Sequence, residues 1–347
     1  MTKTEKQSKV LTLVLAILLP LSGCQTPATT TKSPPEAAAS TQVSVADVAS
    51  LKVPIRLKDK MTRLYHDDPV ERAWAAYQLA KLGRSAQAAV PHLAQLLTDH
   101  EPVLLSRYLG GGFHSSSATT PGEEAAKALA RIGQPAVDSL NQALSSPDPN
   151  TRRLAARATG MIGNIHSADT LIQTLSDPDP RVRAAAAIAL GSYKHPLVAQ
   201  KLMDAYQRAP DKQRTHLVYA MTQINDILVV PFLIQQLATP NPDLRAAVVL
   251  ALGKLRDARA LSGLTDALRD QDEIVRANAA YALSGFYTPK VMDILIATLS
   301  DEVERVREAA AEALSILSGM QFGTDKSKWE SWWQKQKRAI RRGGNKS

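Results

Sequence analysis

Apolar positions along the chain recur in two registers at once. Locally they fall at helical spacing, as at Leu233 and Leu237 or Leu264 and Leu268, four residues apart and therefore on one helix face. Over longer distances whole columns return every 31 residues: Leu190, Met221, Leu252, Leu283 and Leu314 form one. Leu171, Leu202, Leu233, Leu264 and Leu295 form a second, and Leu175, Tyr206, Leu237, Leu268 and Leu299 a third. A column of arginines runs in register with them, at Arg152, Arg183, Arg214, Arg245, Arg276 and Arg307. A fixed period in the range of roughly 20–50 residues marks an array of stacked units, none of which buries its apolar stripe alone.

Each unit reads as a pair of helices. In Asp179-Pro180 the aspartate suits an N-cap and the proline suits the first helical position, where its missing N–H costs nothing. Asp68-Pro69, Asp148-Pro149 and Asn241-Pro242 repeat the device, and Gly83, Gly133, Gly191 and Gly253 stand where the first helices should stop. The pattern predicts an all-α fold, a right-handed α-solenoid of about seven to eight 31-residue hairpins over residues 46–320. A lone helix at 53–66 should open the stack, followed by units at 67–99, 100–146, 147–177, 178–209, 210–240, 241–270 and 271–301, with Glu302 to Leu317 closing it. The 100–146 unit is longer than the rest, and its Tyr108-to-Ser117 stretch, with three glycines and three serines, predicts a protruding loop within 100–121.

Both ends depart from the period. Lys3, Lys6 and Lys9 precede an apolar run from Val10 to Leu19, too short to span a bilayer but suited to a signal peptide over residues 1–23. The run ends in Leu21-Ser22-Gly23-Cys24, which resembles the lipobox of bacterial lipoproteins. That resemblance implies a diacylglyceryl group on the Cys24 sulfur, cleavage before it, and a lipid anchor in the cell envelope, on the periplasmic face of the outer or inner membrane. Gln25, where an aspartate would signal inner-membrane retention, favours the outer membrane. Residues 24–45, rich in Pro, Thr, Ser and Ala without apolar periodicity, read as a disordered tether.

At the other end, residues 321–347 carry eight Lys or Arg against two acids, a local balance of +6 out of a net +9 for the chain. Charge is thus a property of the tail, not a field over the array, and nucleic acid is not an expected partner. Trp329, Trp332 and Trp333 fit one face of a helix, which reads as a cap on the last unit followed by a basic tail. The three tryptophans with Arg338, Arg341 and Arg342 are the candidate interaction residues if that segment instead meets an anionic lipid or polymer.

The strings DPDPRVRAAAAIALG at 177–191 and NPDLRAAVVLALGKLRDARALSGLTDAL at 241–268 resemble HEAT repeats of the short bacterial type also seen in phycobilin-lyase subunits. Ala89-Val90-Pro91-His92-Leu93 and Val230-Pro231-Phe232-Leu233 carry the same likeness in looser form. The resemblance implies a protein-binding array, with second helices usually on the concave side, and an arginine ladder that pairs with acidic or carbonyl groups of an adjacent turn. Asp148, Asp179 and Asp272 lie four residues before their arginines.

No spacing asks for catalysis. The seven histidines show no metal-ligand pattern, the single cysteine is Cys24, and no nucleophile elbow, phosphate-binding loop or zinc-protease motif is present. The expectation is a non-enzymatic, monomeric, membrane-anchored scaffold without metal or cofactor, binding partner proteins. A bilin-lyase-like or other ligand-handling protein is the alternative the resemblance leaves open.

Overall fold

A computed structural model of the chain describes residues 43–104, 118–193 and 195–343, with side chains to Arg338. The expectations for the signal peptide, Cys24 and the tether to residue 42 lie outside the described residues, as do Tyr108 to Ser117 and the side chains of Arg341 and Arg342.

Two short helices, α1 (Val45–Ser50) and α2 (Ile55–Arg63), open the array. Hairpins follow, each a first helix and a second one, the first being the longer in most of them. The first helices are α3 (Pro69–Leu82), α5 (Pro121–Ile132), α7 (Pro149–Ile162), α9 (Pro180–Gly191), α11 (Asp211–Ile224), α13 (Pro242–Leu255), α15 (Glu273–Ala282) and α17 (Glu304–Ser318). The second helices are α4 (Val90–Leu96), α6 (Val137–Ala143), α8 (Ala168–Thr174), α10 (Pro196–Arg208), α12 (Val229–Gln236), α14 (Leu261–Ala267) and α16 (Pro289–Thr298). After α17 comes α18 (Lys326–Gly343) instead of a second helix. The result is an all-α solenoid.

The N-caps form as their chemistry dictates. Asp68, Asp148, Asp179 and Asn241 each accept a backbone N–H of the first turn, with proline at its start. The leucine columns form the continuous core. Leu171, Leu202, Leu233, Leu264 and Leu295 are fully buried, and so are Leu190, Met221, Leu252, Leu283 and Leu314. Each hairpin lends its apolar stripe to the next, so the core runs the length of the stack.

Three features differ from the sequence reading. The opening helix expected at 53–66 forms as α2 but is preceded by another, α1, because Ser44 at the end of what reads as tether makes a reciprocal capping box with Asp47. The long unit carries a two-stranded antiparallel pair, Val103–Leu104 with Ala118–Thr119, closing the base of the insertion. Gly253 does not end its helix; α13 continues to Leu255. A Cβ on Gly253 would lie 2.5 Å from the Cβ of Ala282, and one on Gly160 2.6 Å from that of Ala189, so these glycines let successive first helices approach closely.

The two rows pack differently. First helices pack at these short distances, whereas open grooves separate second helices α8 from α10 and α12 from α14.

Candidate functional site

The arginine column sits at the start of the first helices, and its repeating geometry is specific. Arg152 donates from Nη1 to the carbonyls of Ser146 and Pro147, and from Nε and Nη2 to Asp177 at 2.7 and 2.9 Å. Arg245 repeats the clamp on Asp270 at 2.7 and 2.8 Å, and Arg276 on Asp301 at 3.0 and 3.2 Å. Each aspartate also accepts the backbone N–H two residues on, at Asp179, Asp272 and Val303. The clamp thus ties a first helix to the loop that opens the next repeat, in a bidentate, charge-assisted geometry. Burial, the largest single influence, opposes ionisation of Asp270 and Asp301, but the guanidinium hydrogen bond, the backbone N–H and the nearby arginine charges together outweigh it and hold both carboxyls below their ordinary value.

The partner is therefore the aspartate 25 residues after the arginine, not the one four residues before. Asp148, Asp179 and Asp272 are spent as N-caps on their own helices. Arg72 joins the set, bonded to Asp99 and Glu101, although the sequence reading passed it over because the long unit shifts it out of the 31-residue register.

The clamp is incomplete in the middle of the stack. Arg183 Nη1 reaches the carbonyls of Asp177 and Pro178 as in its sisters, but the residue 25 positions on is Arg208. For Arg214 that position is Thr239, and its guanidinium turns to Asp211 and the Tyr206 carbonyl. Arg307 keeps only the carbonyl contacts, to Asp301 and Glu302.

On the opposite side of the first helices runs a column the sequence reading missed. Ile188, Tyr219, Leu250 and Tyr281 occupy one position at 31-residue spacing, pointing away from the second helices. Ile188 is 60% exposed and the other three are half-buried. Small residues, Ala184, Thr215, Ala246 and Ala277, stand one turn before them. The same 31-residue count that revealed the core would have revealed this column, had exposed positions been counted.

The grooves between second helices are equivalent to each other. One of about 590 Å³ lies between α8 and α10 and is lined by Ile172, Leu175, Lys201, Asp204, Arg208 and Leu217, among others. Another of about 480 Å³ lies between α12 and α14, two repeats on, with Ile234, Leu237, Asp266 and the Arg245–Asp270 clamp in its walls. Where the second groove has Asp270 the first has Arg208.

At the C-terminal end, Trp329 and Trp333 are buried and Trp332 is half-buried. Trp329 Nε1 donates to the Gly323 carbonyl at 2.8 Å and packs edge-on against Phe322; Trp333 Nε1 donates to Asp293 of α16 at 2.7 Å. Both rings belong to a cap over the last repeat and neither is available to an external surface. Lys335 and Arg338 face outward. Among the described residues no cluster of His, Cys, Asp or Glu could hold a metal ion, and no helix is long and apolar enough to cross a membrane.

Comparison with known proteins follows this geometry. The sequence profile of HEAT repeats matches residues 122–171, 137–222 and 229–317, and that of the PBS lyase HEAT-like repeat matches 71–99. No curated protein matches the chain. Among solved structures, the CpcE–CpcF complex of phycocyanin lyase from Nostoc sp. is 19% identical, covering 84% of this chain and 100% of that one, with a TM-score of 0.33. Human deoxyhypusine hydroxylase is 21% identical over 76% of this chain and 96% of that one, with a TM-score of 0.32. The YibA protein of Escherichia coli is 22% identical over 78% of this chain and 98% of that one, with a TM-score of 0.40.

Proposed function

The chain belongs to the HEAT-repeat family, and from that premise we propose that it is a non-enzymatic scaffold that holds partner proteins at the cell envelope. The observation that carries the reading is the column of exposed Ile188 and half-buried Tyr219, Leu250 and Tyr281 on the first-helix face. A row of aliphatic and tyrosine side chains on rigid helices, with alanines or threonine between them, offers apolar area with little entropy to lose on binding. The anchoring half of the proposal is supported by the Leu21-Ser22-Gly23-Cys24 string after its apolar run. With Cys24 lipidated, the array works tethered to a membrane.

Crosslinking the full chain in its own cells and purifying it under mild conditions tests both halves. A defined set of proteins should be recovered with the wild type and lost with Ile188→Glu plus Leu250→Glu. Cys24→Ala should release the protein from the membrane fraction. Recovery of a pigment, lipid or polymer with no protein would overturn the scaffold in favour of ligand handling.

A second reading has its own observation. With Trp329 and Trp333 turned into the cap, the outward side of α18 keeps Lys335 and Arg338, so contact with an anionic surface would be purely electrostatic. Its signature is binding to anionic vesicles that is abolished at high salt.

A further inference from the structure

We propose that the break in the arginine clamp at Arg183 is a docking point for an aspartate or glutamate side chain of a partner protein, which takes the place of the carboxylate that the array itself omits. The inference rests on the scaffold reading and names the chemistry of one contact.

Three sister repeats define what belongs there. In Arg152, Arg245 and Arg276 the Nη1 edge holds two loop carbonyls while Nε and Nη2 hold a carboxylate at 2.7–3.2 Å. Arg183 makes the same two carbonyl contacts, at 2.8 and 3.0 Å, so its guanidinium is set in the sister orientation. Its Nε and Nη2 make no hydrogen bond to a carboxylate of the described residues, and the residue 25 positions on, where the sisters carry the aspartate, is Arg208. Among the described residues no carboxylate lies within ion-pair distance of Arg183 or Arg208.

The change is not confined to one side chain. In the sisters the clamped aspartate also accepts the N–H two residues on; here that residue is Pro210, which has no N–H to give. The loop has lost the acceptor and the donor together. What remains is a guanidinium with one edge unpaired at Arg183, and a second positive charge at Arg208, exposed in the wall of the groove between α8 and α10. Ile172, Leu175 and Leu217 supply apolar wall beside it. Of the other charges lining the groove, Lys201 and Asp169 neutralise each other at 2.7 Å, and Asp204 accepts from Gln200. The groove between α12 and α14 has the same shape but keeps its own carboxylate, Asp270, so it offers no such vacancy. A planar guanidinium with one edge fixed and one open selects a carboxylate by its paired oxygens.

The test uses the full chain immobilised and two degenerate nonapeptide pools, one with aspartate fixed at the centre and one with asparagine. The wild type should retain the aspartate pool about fivefold better, the ratio that an ion pair at a part-exposed site supports. Arg208→Asp should abolish the preference by rebuilding the clamp from within, and should raise the melting temperature, since it restores a contact its sisters possess. Arg183→Gln should also abolish the preference, without that gain. Equal retention of the two pools by the wild type would overturn the proposal, as would a preference that survives Arg208→Asp. A preference displaced by millimolar inorganic phosphate with no dependence on peptide sequence would likewise overturn it, leaving a simple anion site. If the pools are not distinguished while Ile188→Glu plus Leu250→Glu still loses the cellular partners, this inference falls and the scaffold reading stands.

Discussion

A side chain in this array is worth what its neighbours in the next repeat make of it. Gly253 illustrates the point: a single added Cβ would stand 2.5 Å from Ala282, in backbone that cannot move aside. Gly253→Val should therefore destabilise the protein by about 1–3 kcal/mol, read from urea unfolding; an unchanged midpoint would show that α13 and α15 are not held at this separation. The arginines divide in the same way. Arg276→Gln leaves Asp301 without its two guanidinium bonds in a part-buried setting and should cost about 1–3 kcal/mol. Arg183→Gln, which deprives no carboxylate, should cost clearly less. Equal losses at the two positions would mean that the carbonyl contacts alone carry the clamp.

At the scale of elements, the hairpins are secured by short-range devices that differ from end to end. The first of them relies on a histidine: His92 in α4 is buried and its Nδ1 meets the Tyr65 hydroxyl at 2.6 Å, just beyond α2. Burial lowers the pKa of this imidazole from the ordinary 6.5, with Asp47 opposing. Below pH 6.5 the unfolded chain takes up the proton before the folded one does. The stability contributed by the neutral ring is thus complete above 6.5 and is lost as the pH falls toward the lowered folded value. Hydrogen exchange corrected for intrinsic rate should show protection over Tyr65–Leu97 weakening as the pH falls below 6.5, and His92→Gln should remove that dependence. Protection that tracks pH identically in the variant would place the titration elsewhere. At the far end the same sealing is done by α18, whose Trp333 reaches across to Asp293.

For the molecule as a whole, the fold was legible because its information is periodic. Leu202 and its column mates announce the core five times over, and Asp179-Pro180 announces where helices begin. What periodic reading could not supply was contact between residues of different repeats. The Arg245–Asp270 clamp spans 25 residues, from one helix to the loop beyond the next, and becomes visible only when that loop folds back. Gly253 was misread for a related reason, since a glycine that admits a neighbouring helix and one that ends its own look identical in sequence. The Ile188 column was equally periodic, but attention to buried positions passed over it.

Each complete clamp begins in one repeat and ends in the loop that opens the next, so the joints that carry one are interchangeable. Excising residues 242–272 would remove Arg245 and Asp270 together and set Asn241 before Glu273, leaving the Arg276–Asp301 clamp intact. The shortened chain should fold cooperatively and keep its helical circular dichroism, whereas an excision of similar length shifted by half a hairpin should not. The gene can thus lengthen or shorten its product in whole cassettes, and the span between the two ends becomes a quantity that inheritance adjusts in discrete steps without redesigning any joint.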